Sequence, residues 1–423
     1  MHQSRAVVIG AGIGGLTAAA ALCLRGWAVT VLERAPTLEP VGAGLALAPN
    51  AQRALDVIGL GDTVRAMSAW QGEGGLRTPA GRWLARTTLE AAAERFGGPV
   101  VIVHRATLID LLAARLPEGA VHTGAAATVT DPGTAGRPAT VRTERGEEHT
   151  ADLVVAADGI HSATRQALFP GHPAPRYAGF TAWRFIAPAP ERPFSAHETW
   201  GRGSLWGTVP LHDGRVYAYA TATVPAGERA PDDEHAELLR RFGDWHHPVP
   251  DLLAAVDPAA ILRGDVYRTV TALPAYHRGR VALLGDAAHA MTPNLGQGGC
   301  QAVEDAVVLA HHADPRSAAR AEGGAGARDL DRALAAYTRD RLPRTMEVVR
   351  RSDRIGRLTT WTSPPALALR TTVFAVLNRI GPRLALRSLD GIADWRPPQP
   401  PHAAGTPDTD PAANRRQPPG GSS

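Results

Sequence analysis

Gly10, Gly12 and Gly15 stand in GxGxxG spacing directly after the apolar run of "RAVVIG", and Glu33 lies at the end of the next apolar run, "AVTVLER". In that order a strand, a glycine turn and a helix can present a helix N-terminus to a pyrophosphate. The glycines, Gly14 among them, allow a tight turn and close backbone approach. A carboxylate at Glu33 can accept hydrogen bonds from both adenosine ribose hydroxyls, which favours an unphosphorylated 2′-OH. The chemistry is dinucleotide binding, against a glycine turn that serves packing alone. By itself the pattern does not separate NAD from FAD.

A second stretch, "RVALLGDAAHAMTPNLGQGGCQAVEDAVVLAHH", offers Asp286, His289 and a "GQGG" turn. Asp286 and His289 invite a hydrolase or metal reading, but nothing else completes a triad or a ligand set, so no metal site is expected. His289 reads instead as a structural hydrogen-bonding histidine. Asp158 and Asp286 both end strands, which suits a long ligand whose polyol and pyrophosphate run across strand ends. The N–H groups of Gly296, Gln297, Gly298, Gly299 and Cys300 then lie at a helix N-terminus, an anion site. A reduced flavin is such an anion, with its charge around N1 and the C2 carbonyl. This stretch reads as a flavin cradle.

The elements that must position these residues follow from periodicity. Residues 1–34 form one β-α-β unit, which requires parallel pairing and a right-handed crossover. "HRATLIDLLAARL" is an amphipathic helix and "ADLVVAADG" a buried strand. Between 177 and 270, "FTAWRFIA", "SLWGTVPL", "RVYAYATATV" and "GDVYRTV" are aromatic and β-branched with turns between them, an antiparallel sheet. The division expected is 1–176 and 273–329 for the cofactor lobe, 177–272 for an inserted sheet lobe, 330–395 for C-terminal helices, and 396–423 for a disordered Pro-rich tail. Residues 314–329 read as a low-complexity loop. Residues 366–386 read as a packed amphipathic helix, or else as a surface that touches a membrane or partner.

Composition narrows the class. The chain has 423 residues, 44% hydrophobic and 20% charged, with a net charge of +4. All 45 basic residues are Arg, dispersed among acids, which gives no nucleic-acid footprint and removes lysine nucleophiles. Only Cys23 and Cys300 are present, without CxxC, so free thiols and a cytoplasmic setting are expected. No apolar run is long enough for a membrane span.

Taken in order, "VVIGAGIGGL", "VGAGLALAPNA", "HRATLIDLL", "AADGIHSATR", "AGFTAWR" and "LLGDAAHAMTPNLGQGGCQAVEDAVVLA" resemble the single-component FAD-dependent aromatic hydroxylases. The likeness is to the branch of salicylate, 3-hydroxybenzoate and urate hydroxylases and zeaxanthin epoxidase, and spans about 5 to 312. It implies an α/β fold: a Rossmann-like FAD-binding lobe, an inserted mainly antiparallel substrate lobe and a C-terminal helical region. It implies that Gly14, Glu33, Arg34 and Ala46 line the adenosine side of FAD. Arg105 would contact the cofactor, Val129 would offer backbone near the adenine, and Asp158 would serve the pyrophosphate region. Asp286 and residues 296–300 would hold the ribityl chain and isoalloxazine.

The implied chemistry is hydroxylation of a phenolic or heteroaromatic small molecule. By the resemblance NAD(P)H would reduce the flavin, O2 would add at C4a, and the hydroperoxide would transfer its distal oxygen. Tyr217 and Tyr219, two apart on one strand, face the same side; either one contacts substrate, or both are packing. Tyr217 lies where urate hydroxylases place a substrate-contacting Tyr. Their substrate-anchoring Arg is Leu205 here, and Trp206 beside it hints at a larger or less charged ring. Pro293 would offer its carbonyl beside the flavin, against a plain turn proline. Arg184 would meet the cofactor or an acidic substrate, or form a buried ion pair. Open alternatives are epoxidation or another oxygen insertion on a natural-product intermediate, and a non-catalytic FAD-binding protein. A monomer or a homodimer is expected.

Overall fold

The computed structural model describes residues 3–38, 43–69, 73–315, 326–380 and 389–398. The Pro-rich tail from 399 and most of the expected loop at 314–329 lie outside the described residues. The glycine turn belongs to a six-stranded sheet. It combines β1 (Arg5–Ile9), β2 (Ala28–Leu32), β7 (Val121–His122), β11 (Leu153–Ala156), β17 (His277–Arg278) and β18 (Val281–Leu283) in the order β17-β18-β11-β1-β2-β7. All neighbours are parallel except the β17–β18 pair. Strands β1, β11 and β18 are apolar and almost wholly buried, as strands covered on both faces must be.

Helix α1 (Ile13–Leu24) covers this sheet. Its buried Ala18–Ala21 run has no bulk, so α10 (Gly298–His312) and α5 (Arg105–Ala113) pack closely on it. A three-stranded antiparallel meander of β8 (Ala127–Asp131), β9 (Ala139–Thr143) and β10 (Glu148–Ala151) stands beside the sheet. A short pair, β3 (Gly44–Leu47) with β6 (Val101–His104), leads into α2 (Pro49–Asp56) and α3 (Gly61–Arg65). Two short helices, α6 (Ala163–Leu168) and α9 (Asp286–His289), follow the strand ends that carry Asp158 and Asp286.

The second lobe is a seven-stranded sheet in the order β16-β12-β15-β14-β13-β4-β5. Its strands are β12 (Arg176–Pro188), β13 (His197–Trp200), β14 (Ser204–Pro210), β15 (Arg215–Ala222) and β16 (Leu262–Arg268), joined by β4 (Glu73–Arg77) and β5 (Trp83–Thr88). This differs from the single insertion expected at 177–272. Residues 73–88 leave the cofactor lobe early, and β4 extends the sheet by pairing in parallel with β13. Two glycines and a terminal arginine give β4 no β-branched signal to read.

The sheet's two faces are sorted by alternation. Trp183, Phe185, Trp206, Val216, Ala218 and Ala220 point outward, into a core shared with α7 (Glu234–Phe242) and α8 (Val249–Ala255). The inner face is capped by α11 (Gly326–Thr359) and α12 (Pro364–Ile380), which bring Ile355, Leu358 and Phe374 to Leu205 and Trp200. Helix α12 is packed through Phe374 and the buried Arg370, whose guanidinium donates to the carbonyls of Gly201 and Leu358. Helix α4 (Leu89–Phe96) opens on a Thr88 cap and carries Phe96 to Ala393. Among the described residues no helix is long and apolar enough to cross a membrane.

Candidate active site

The four glycines divide their work. Gly10 has φ +101, and a methyl there would lie 2.5 Å from the Ala157 carbonyl oxygen, beside Asp158. Gly15 is closed by the carbonyl of Gly10 at 2.0 Å, and Gly14 by Leu284 Cδ1 at 2.7 Å and Ala302 Cβ at 3.1 Å. Those two let α1 settle on the sheet and on α10. Only Gly12, the N-cap of α1, meets nothing within 4 Å, so it is where a ligand can approach backbone. Glu33 is held ready beside it: its two carboxylate oxygens accept from the N–H groups of Ala11 (2.6 Å) and Ala35 (2.8 Å). Each oxygen keeps a second lone pair for a ribose hydroxyl. Arg34 next to it is exposed, and the chain before Val129 runs alongside, with Gly124 and Ala125 donating to the carbonyls of Ala35 and Glu33.

Asp158 follows β11. One oxygen accepts from the Thr164 N–H at 3.0 Å, while the other is buried without a partner among the described residues. Asp286 retains an accessible carboxyl, yet burial of its surroundings pushes its pKa up, opposed by the charges of His289 and Arg105. Arg105 itself opens α5 and is exposed. His289 is fully buried, with Nε2 2.5 Å from Asp305. It is a structural histidine locked by a carboxylate.

At the start of α10 the first-turn N–H groups have no intrahelical acceptor, and no acid stands in that turn. Gly298 is open apart from Met291 at 3.9 Å, and Gly299 sits against Leu45. Cys300 directs its sulfur at the carbonyls of Ala46 (3.3 Å) and Gly296 (3.5 Å). Gly296 is left-handed at φ +62, with Ala46 Cβ 3.2 Å from where its own Cβ would be. Ala46 therefore lies at the 296–300 turn. The resemblance would put it at the adenosine end, but β3 runs across the start of α10 and carries it to the opposite end. Gly14 likewise turns toward Leu284 and Ala302, not into the open side of the loop. Pro293 is exposed in a 3-10 turn, and its carbonyl accepts the Gly296 N–H at 2.8 Å, leaving one lone pair free.

Behind the cradle lies a polar cluster that sequence reading does not anticipate. Gln297 accepts from Asn50 (3.0 Å) and Gln301 (3.1 Å), and Asn50 also donates to Glu304 (2.7 Å). Arg341 of α11 bridges Glu304 (2.5 Å) and Asp305 (2.7 Å), and all three are fully buried. The one signal available is the acid pair in "AVEDAVVLA", inside an otherwise apolar helix.

Tyr217 and Tyr219 do share the inner face of β15, with ring centroids 5.5 Å apart. Tyr217 packs on β3: a methyl at Gly44 would lie 2.3 Å from its Cγ. Burial raises the Tyr217 pKa, and Arg184 lies close enough for its charge to oppose that rise; among the described residues Arg184 forms no ion pair within 4 Å. Tyr219 lies over Gly207 and donates to Glu198 at 2.6 Å. Leu205 faces inward with them, whereas Trp206 is fully buried on the outer face and donates to Thr208. Strand alternation thus withdraws Trp206 from any contact with a ring on the inner side.

These residues fit an FAD: one open glycine at a helix N-cap, a two-ended acid at the ribose position, an unpartnered Asp158 oxygen, an open Asp286, and free first-turn N–H groups on α10. Among the described residues no cluster of His, Cys, Asp and Glu could hold a metal ion. The family model described as "FAD binding domain" matches residues 3–352. The chain belongs to this family. It is an FAD-dependent aromatic monooxygenase, with FAD as its cofactor.

The monooxygenase is 38% identical over 375 residues to the aurachin C monooxygenase/isomerase of Stigmatella aurantiaca, covering 88% of this chain and 94% of the relative. To the 3-amino-4-hydroxybenzoate 2-monooxygenase of Streptomyces cremeus it is 37% identical, covering 83% and 86%. Its fold is similar to that of Klebsiella pneumoniae HpxO solved with FAD and uric acid. That match has a TM-score of 0.79 and 30% identity, covering 92% of this monooxygenase and 96% of that chain.

Proposed function

We propose that the enzyme consumes NAD(P)H and dioxygen to hydroxylate an electron-rich phenolic or heteroaromatic ring, seated between the tyrosine face of the seven-stranded sheet and the turn at 296–300. The observation that carries this is the placement of β3. Its Gly44 touches the Tyr217 ring, while Leu45 and Ala46 touch Gly299 and Gly296. One short strand thus spaces the tyrosines from the cradle. Relatives named for 3-amino-4-hydroxybenzoate and urate support a ring bearing hydroxyl or ring nitrogen.

The flavin, when bound, supplies reduction by the nicotinamide and activation of dioxygen. Glu33 would accept from the ribose hydroxyls, Asp158 would serve the pyrophosphate region and Asp286 a ribityl hydroxyl. In the 296–300 turn the Gly296 N–H is held by Pro293, and the N–H groups that follow it would hold negative charge on the flavin ring. On the substrate side, the Tyr217 hydroxyl beside Arg184 donates to an oxygen of the ring. The free lone pair of the Pro293 carbonyl accepts a proton-bearing group at the oxidised edge. Leu205, Leu358 and Phe374 exclude water from the cleft.

The test is NADH and NADPH consumption with oxygen uptake, with and without a panel of phenols, quinolones and polycyclic aromatics, and product mass. Stimulation with a product heavier by one oxygen is expected. Stimulation by no ring would overturn the aromatic reading and favour oxygen insertion into an alkene or other natural-product intermediate.

A further inference from the structure

The inner face of the seven-stranded sheet carries a cation and a carboxyl that do not meet. Pairing of β12 with β15, β15 with β14 and β14 with β13 sets Arg184, Tyr219, Gly207 and Glu198 in one cross-strand row. Its ends are three strand spacings apart, roughly 14 Å, too far for an ion pair. Each end engages a tyrosine instead. The Arg184 charge acts on the Tyr217 hydroxyl, and Glu198 accepts from Tyr219 at 2.6 Å. The second oxygen of Glu198 accepts from Trp200 Nε1 at 2.9 Å.

The carboxyl end is a built arrangement. A methyl at Gly207 would lie 2.0 Å from Tyr219 Cζ, so only glycine lets the ring cross β14 to reach Glu198. Around the pair stand Leu76, Trp200, Leu205 and Phe374. No cation pairs with Glu198 among the described residues. For stability alone such a carboxyl is a poor choice, because its desolvation is not offset by an opposite charge. Both Glu198 and Tyr219 are only half-buried, which leaves lone pairs open to a ligand.

We propose that the Glu198–Tyr219 pair is the donor-recognising end of the substrate cleft: the ring that is oxidised carries an O–H or N–H that hydrogen-bonds to this pair, while an acceptor oxygen of the same ring system meets Arg184 and Tyr217. This rests on the monooxygenase reading above and names its substrate class. It excludes rings whose only polar groups are acceptors. Leu205 contributes by leaving no second cation to compete with the carboxyl for that edge.

The test uses the full-length FAD-loaded protein and matched pairs of rings, each phenol or ring N–H compound with its O- or N-methyl derivative. Binding is read from the flavin absorbance change, which needs no turnover. In the unsubstituted protein methylation should weaken binding at least roughly tenfold, the effect of leaving a buried acceptor unpaired. In Glu198→Ala the two members of each pair should bind within about twofold of one another. Tyr219→Phe, which keeps the ring over Gly207, should also narrow the gap, and FAD content checks that each variant is folded. Equal binding of both members to the unsubstituted protein, a gap that persists in both variants, or no binding by any ring would each overturn the proposal. Rings that bind with this discrimination yet never stimulate NAD(P)H oxidation would instead sink the hydroxylase reading alone.

Discussion

Gly44 is the residue on which the substrate side turns. Its backbone angles suit any residue, so only space demands glycine, and the space is taken by the Tyr217 ring at 2.3 Å from a notional methyl. Gly44→Ala must displace that ring, since the paired β3 backbone cannot give way. Substrate-stimulated NAD(P)H oxidation should fall at least roughly tenfold while FAD content holds, because overpacking of this kind costs about 1–3 kcal/mol at the contact. Unchanged stimulation in Gly44→Ala would remove Tyr217 from the substrate site. The same logic separates the glycines of the nucleotide loop. Gly12 is open to a ligand, whereas Gly14 and Gly15 are closed by protein. A motif of spacing cannot distinguish those duties, because they depend on which strand and helix stand behind each residue.

At the scale of elements, α10 joins the cradle to the core. Its first turn offers N–H groups, and its second carries Glu304 and Asp305 to Arg341 of α11. Burial pushes the Asp305 carboxyl up, but His289 and Arg341 outweigh it and hold the pKa at about 2. Arg341→Met would strip Glu304 and Asp305 of the cation they share, leaving Arg344 alone to pair with Glu304 and His289 alone to pair with Asp305. We expect a loss of about 3–5 kcal/mol in denaturant unfolding and weaker FAD retention. A second substitution, Glu304→Gln, should restore part of that loss; independence of the two would show that no such network operates. The element that sequence reading misassigns is β4–β5. Its membership of the second sheet is decided by pairing with β13, not by its own propensity.

For the whole molecule, acid stability has a specific source on the outer side of the sheet lobe. His197 is 4% exposed, and burial pushes its pKa from 6.5 down to about 4, against the opposing bond to the Ser195 carbonyl. The folded state therefore binds fewer protons than the unfolded chain between those two values, so stability falls as pH falls through that window. Between about pH 7 and about pH 4.5 the loss from this one group should be roughly 2–3 kcal/mol. His197→Gln, which does not titrate, should flatten the slope of urea-unfolding stability against pH in that range. An unaltered slope would assign acid sensitivity elsewhere.

What the chain determines locally was readable from it. The glycine turn, Glu33, the strand-end aspartates and the "GQGG" helix start are each set within a few residues, and periods of 2 and 3.6 report which side a residue takes. The lobe texture of 177–270 and the shared side of Tyr217 and Tyr219 follow for the same reason. Tertiary structure alone decided which side of the second sheet faces the cradle, and so drew Leu205 inward and Trp206 out. It alone brought Ala46 to the 296–300 turn, Arg341 to the acids of α10, and Glu198 within 2.6 Å of Tyr219. Each of these joins residues far apart in the chain, through strand register or helix packing that no local pattern encodes.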